Sequence, residues 1–99
     1  MFEKLKQFKD LRDKAKTLQS VLSEEKAEGS AAWGKVKVEV DGTQKVTRVS
    51  IDPSLLAPAE QSKLEAAVKE AANDAQHKVQ SKAMAKMKSM GDLGIPGLN

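Results

Sequence analysis

Apolar residues recur along this chain in three different rhythms. At the start, Phe2, Leu5, Phe8, Leu11, Ala15, Leu18 and Leu22 follow one another in steps of 3, 3, 3, 4, 3 and 4. That is a narrow helical seam near the coiled-coil period, and the other faces are polar. No Gly or Pro interrupts it before Gly29, so the spacing predicts one helix from residue 3 to about residue 28. The rhythm then changes. Gly29-Ser30-Ala31-Ala32-Trp33-Gly34 is small and flexible and reads as a loop, and Lys35-Val36-Lys37-Val38-Glu39-Val40 alternates strictly, as a half-buried strand does. Asp41-Gly42 signals a turn, and residues 45–51 form a second strand with Thr47, Val49 and Ile51 on one face. Val46 falls out of phase, which predicts a bulge or local exposure there. Val36, Val38, Val40, Val49 and Ile51 should form the inner face, and Trp33 should plug the core or a contact between subunits.

Asp52, standing before Pro53, ends the strand extended. Pro58 suits the first turn of a second helix, predicted from about Ala59 to Met90. Its stripe is Leu64, Val68, Ala71, Ala75, Val79, Ala83, Met87 and Met90, with Met84 on the same flank as the last two. Residues 1–90 thus make one domain. Residues 91–99, with three Gly and one Pro, read as a mobile tail.

The two predicted helices are roughly 39 Å and 48 Å long at ~1.5 Å per residue. A short strand spans only about 20 Å, so both helices must overhang the sheet. An overhanging apolar stripe needs a cover, and a small sheet leaves open edges. The two stripes can cover each other as an antiparallel or splayed pair. A second subunit would close an edge and enlarge a core that has only Phe2, Phe8 and Trp33 as aromatics. The chain is expected to form a homodimer with two-fold symmetry.

Composition removes several kinds of chemistry. With no cysteine, disulfides, thiolate metal sites and cysteine nucleophiles are excluded. His77 is the only histidine and has no partner ligand pattern, so no metal is expected. Glu24 and Glu25 are adjacent and point to different faces, there is no Gly-rich phosphate loop, and no serine has a positioned base. No enzyme and no cofactor are expected. Glu3, Lys4 and Lys6 break up any apolar leader, and no apolar run approaches the roughly 20 residues that cross a bilayer. The expected location is the cytoplasm.

Seventeen Lys and Arg against fourteen Asp and Glu leave a net charge of +3, and the distribution matters more than the total. In the first helix Lys4, Lys6, Lys9, Arg12, Lys14 and Lys16 oppose only Glu3, Asp10 and Asp13, while the last turns are acidic. In the second helix the acids Glu60, Glu65, Glu70 and Asp74 come first, and Lys78, Lys82, Lys86 and Lys88 follow with no carboxylate until Asp92. Lysines late in a helix suit its dipole. Basic residues at the start of the first helix do not, so the dipole does not account for them. If the basic ends converge, they form a positive tip suited to phosphate. Lys4, Lys6, Lys9, Arg12, Lys78, Lys82, Lys86 and Lys88 are the candidate contacts to double-stranded DNA. Nothing in them resembles base readout, so sequence preference should be low.

Several segments, taken in order, resemble the YbaB/EbfC nucleoid-associated proteins. They are the first helix, Glu28-Gly29-Ser30-Ala31, Gly34-Lys35-Val36-Lys37-Val38, Val49-Ser50-Ile51-Asp52-Pro53-Ser54-Leu55-Leu56, Asn73-Asp74-Ala75 and Met90-Gly91-Asp92-Leu93-Gly94-Ile95-Pro96-Gly97-Leu98. The resemblance implies an α+β fold of order α-β-β-β-α, with two long helices flanking a small antiparallel sheet and a tweezer-like homodimer. It implies a third strand near Glu28–Ala31, where periodicity alone gives a loop. It also implies DNA binding that alters DNA conformation, with roles in nucleoid organisation and gene regulation. This chain has Ala32-Trp33 where the family usually has glycines. The competing function is a protein-binding chaperone or targeting module that uses the amphipathic helices as arms.

Overall fold

The computed structural model describes the backbone of residues 2–92 and the side chains of residues 6–90. The order is α1 (Phe2–Glu24), β1 (Lys26–Ala31), β2 (Val36–Asp41), β3 (Val46–Ile51), two short 3-10 turns (Pro53–Leu55 and Pro58–Glu60) and α2 (Gln61–Asp92). The expected α-β-β-β-α arrangement is therefore present. The strands form one antiparallel sheet in the order β1-β2-β3.

The sequence periodicity was misleading at β1. The first helix stops at Glu24 rather than near residue 28, and Lys26–Ala31 is a strand whose odd-numbered residues Ala27, Gly29 and Ala31 are buried. Ala and Gly have little intrinsic preference for strands. What selects them is the closeness of α2, which lies across β1 and β2. A Cβ on Gly29 would collide with the Ala71 carbonyl oxygen and the Ala75 amide, both backbone atoms of α2. The facing row of α2 is correspondingly small: Ala67, Ala71, Ala75 and Val79 are buried against Val36, Val38, Val40 and Leu55.

Val36, Val38 and Val40 form the inner face as expected. Val46 sits opposite Val40 after a register shift, the irregularity that its phase predicted. Ile51 is half-buried, whereas Val46 and Val49 remain 56% and 50% exposed because α2 does not reach β3. Trp33 is not part of the core. It is fully exposed at the tip of the β1–β2 hairpin. Ala32, Trp33 and Gly34 are consecutive left-handed residues with φ of 54°, 60° and 82°. For residues with a Cβ this conformation costs roughly 1–2 kcal/mol each.

The other long helix is attached differently. The amide of Gly42 donates to the carbonyls of Leu22 and Glu25, at 2.9 and 2.8 Å, which satisfies acceptors at the end of α1. From there α1 leaves the sheet. It has no extended packing against α2, and Phe8 and Leu11 are 69% and 66% exposed. The two helices of one chain are splayed, and their stripes do not cover each other. The molecule is accordingly long and thin, 65 × 27 × 15 Å.

Candidate nucleic-acid interface

The direction of α2 follows from its contacts with β1. The Ser30 amide donates to Asp74 at 3.3 Å, the Lys78 ammonium to the Glu28 carbonyl at 3.5 Å, and the Lys82 ammonium to the Lys26 carbonyl at 2.6 Å. Successive turns of α2 thus run antiparallel to β1, towards its first residue. Beyond Lys82 the helix overhangs the sheet by about 15 Å, at ~1.5 Å per residue. Since α1 joins β1 directly through Glu25, it departs from that same end. Its basic half, Lys6, Lys9 and Arg12, and the Lys86–Lys88 end of α2 therefore extend from one end of the sheet. They do so as two separate arms, not as a packed pair. Lys4 lies outside the described side chains.

The lysine row of α2 divides into two parts. Lys86 and Lys88 are exposed on the overhang and none of the described hydrogen bonds or ion pairs engages them. Lys78 and Lys82 are occupied along β1, and Lys78 also pairs with Asp74 at 3.0 Å. Strand β1 is an outer strand of the sheet, with backbone groups that no neighbouring strand takes up. Asp74, Lys78 and Lys82 close that edge. The Asp74 carboxyl is held below its ordinary range by the Lys78 ammonium and the Ser30 amide. The regular spacing that suggested phosphate contacts at these lysines serves edge closure as well, which the sequence could not reveal without β1.

At the root of α1 is a polar cleft of about 330 Å³ whose lining includes Lys16, Gln19, Ser20, Ser23, Thr43 and Lys45. Only the folded chain brings the helix and the β2–β3 turn together there, so Lys16 and Lys45 were not among the sequence candidates. The turn is built on Asp41. Its carboxylate accepts from the Thr43 amide at 2.8 Å, the Thr43 hydroxyl at 2.6 Å and the Lys45 amide at 3.2 Å. Hydrogen bonding from Thr43, against some desolvation, holds the Asp41 carboxyl below its usual value. Beside the arm the cleft thus presents two ammonium groups and several hydroxyls together with the Asp41 carboxylate. Among the described residues there is no cluster of side chains suited to a metal ion, and no helix is long and apolar enough to cross a membrane.

A sequence model described as the YbaB/EbfC DNA-binding family matches residues 1–94. The chain belongs to that family. Curated relatives named nucleoid-associated proteins cover almost the whole chain. A nucleoid-associated protein of Afipia carboxidovorans is 39% identical over 95 residues, which is 95% of this chain and 90% of that one. One from Syntrophobacter fumaroxidans is 37% identical over 98 residues, covering 98% of this chain and 89% of the other. A crystal structure of an uncharacterized protein from Helicobacter pylori shares the fold, with a TM-score of 0.63 at 18% identity over 84% of this chain and 96% of that one. In this YbaB/EbfC-family chain the basic ends of both helices extend from one end of the sheet.

Proposed function

We propose that this protein is a nucleoid-associated protein of the bacterial cytoplasm that grips duplex DNA as a homodimer, through the backbone and with little sequence preference. Binding alters DNA conformation and so contributes to nucleoid organisation and gene regulation. The observation that carries this reading is the departure of both basic segments from one end of the sheet. Arms roughly 35 Å and 15 Å long, at ~1.5 Å per residue, can reach separate phosphates along a duplex. The family description and the names of the relatives support DNA as the ligand.

The dimer reading rests on β3. One edge of the sheet is closed by α2, whereas β3 has a neighbour on one side only and leaves Val46 and Val49 uncovered on the inner face. A second copy packed there would bury that strip and close the remaining edge.

The test uses Lys9→Gln, Arg12→Gln, Lys86→Gln and Lys88→Gln in one chain, leaving Lys78 and Lys82 to hold β1. If each dimer neutralises about 6 to 8 phosphates, log K falls against log salt with a slope of about −5 to −7. The variant should bind more weakly on every duplex tried, and the slope should flatten by about 0.9 for each contact removed. An unchanged slope with the fold intact would rule out the arms as the DNA grip.

A further inference from the structure

At the end of the sheet opposite the arms, Trp33 stands fully exposed on three consecutive left-handed residues. Two turn hydrogen bonds, from the Gly34 amide to the Ala31 carbonyl and from the Lys35 amide to the Ala32 carbonyl, both at 3.2 Å, hold the backbone there, but the indole makes no burying contact with the described residues. Trp33 and Ala32 form one wall of a shallow groove of about 450 Å³ that lies between the hairpin tip, the two 3-10 turns and the start of α2. Its floor is Leu55, Ala66 and Ala67. Its rim carries two bases, Lys35 and Lys63, and two acids, Glu60 and Glu70. The groove is of a size to receive an indole, and the indole on its own wall stays exposed.

We propose that Trp33 and this groove form a self-complementary contact between two copies of the chain. The indole of each copy seats on the Leu55–Ala66–Ala67 floor of the other, with Lys35 of each copy facing Glu70 of the other. The rim selects the occupant. Its formal charges cancel, so it does not attract a polyanion as the arms do. Lys63 pairs with Glu60 of its own chain at 3.4 Å, which leaves Lys35 on the hairpin side and Glu70 on the α2 side of the groove to meet their opposites in a two-fold copy. The surface is separate from the Val46–Val49 strip, which does not line the groove.

The contact is weak by size. Two buried aromatic side chains supply about 300–500 Å², well under the roughly 1,200 Å² of a standard stable interface. It therefore populates at high local concentration, as when many copies lie along one DNA molecule. There it links neighbouring copies end to end, away from their arms.

Trp33 is the only tryptophan and the chain has no tyrosine, so its fluorescence reports on this site alone. Sedimentation equilibrium and indole emission would be followed together from about 10 µM to about 1 mM protein, a range that brackets weak association. The expected result is a mass that rises with concentration and a blue shift that follows it. Trp33→Gly should lose the rise while keeping the helix content, since glycine accepts the left-handed turn. A Glu70→Lys chain and a Lys35→Glu chain should each fail to associate through this face alone and should associate when mixed. Emission that stays at the water-exposed position throughout overturns the proposal. So does a blue shift without a change in mass, a shift produced by a duplex too short to hold more than one bound molecule, or two charge-swapped chains that ignore each other.

Discussion

Adding a single methyl group at Gly29 should come close to unfolding this protein. The Cβ of Gly29→Ala would lie well inside 3.0 Å of the Ala71 carbonyl oxygen and the Ala75 amide nitrogen, closer than real Cβ atoms come. Both obstacles are backbone atoms in the middle of α2, so no rotamer change relieves the clash. The helix must lift off β1, and its buried row, Ala67, Ala71, Ala75 and Val79, lifts with it. Overpacking a core by one methyl usually costs about 1–3 kcal/mol when side chains can adjust. Here only a rigid-body shift is available, so the loss should reach or exceed the top of that range. A 99-residue domain has about 5–15 kcal/mol in total. Urea unfolding followed by helix signal would measure it, with an unchanged slope and a midpoint lowered by at least about 1 M at a typical slope of 1–3 kcal/mol per M. A loss under ~1 kcal/mol would mean that α2 does not pack this closely on β1.

Gly42→Ala tests the other junction: its Cβ would strike the Leu22 carbonyl, so α1 should loosen at its root while the α2–sheet core survives. Amide exchange should rise in Leu18–Glu24 far more than in α2, and equal changes in both helices would contradict the separate attachment of α1. Asp41→Asn tests the turn through pH. The folded carboxyl of Asp41 titrates below its ordinary 3.8, so its stabilisation is complete above the unfolded value and is lost as pH falls through and below it. The stability gap between wild type and the Asn variant should therefore be wider at pH 6 than at pH 3, and a constant gap would remove the charge from the account. Lys82→Ala, by freeing the Lys26 carbonyl, should cost about 1 kcal/mol and raise exchange and aggregation along β1. Loss of DNA affinity in that variant with no change in stability would return Lys82 to the DNA-contacting group.

What could be read without coordinates depended on whether a segment's partner lies nearby in sequence. Strands β2 and β3 announced themselves because their valines alternate, and the bulge at Val46 was visible as a break in that alternation. Strand β1 was hidden because its side chains are chosen for the thinness α2 requires, and α2 lies more than forty positions away, as the Ser30–Asp74 separation of 44 shows. The family resemblance located the strand where local physics did not. Charge behaved the same way. The basic segments were evident as a pattern, and the fold sends both from one end of the sheet, although as separate arms. Yet the pattern could not distinguish Lys86, which faces water, from Lys82, whose regular spacing serves a strand edge about two helical turns from Ala75, the neighbour of Gly29. Trp33 shows the limit of composition most sharply. A lone tryptophan in a small, aromatic-poor chain belongs in the core on average grounds. Here three left-handed residues hold it outside, at the end of the molecule that the arms do not use.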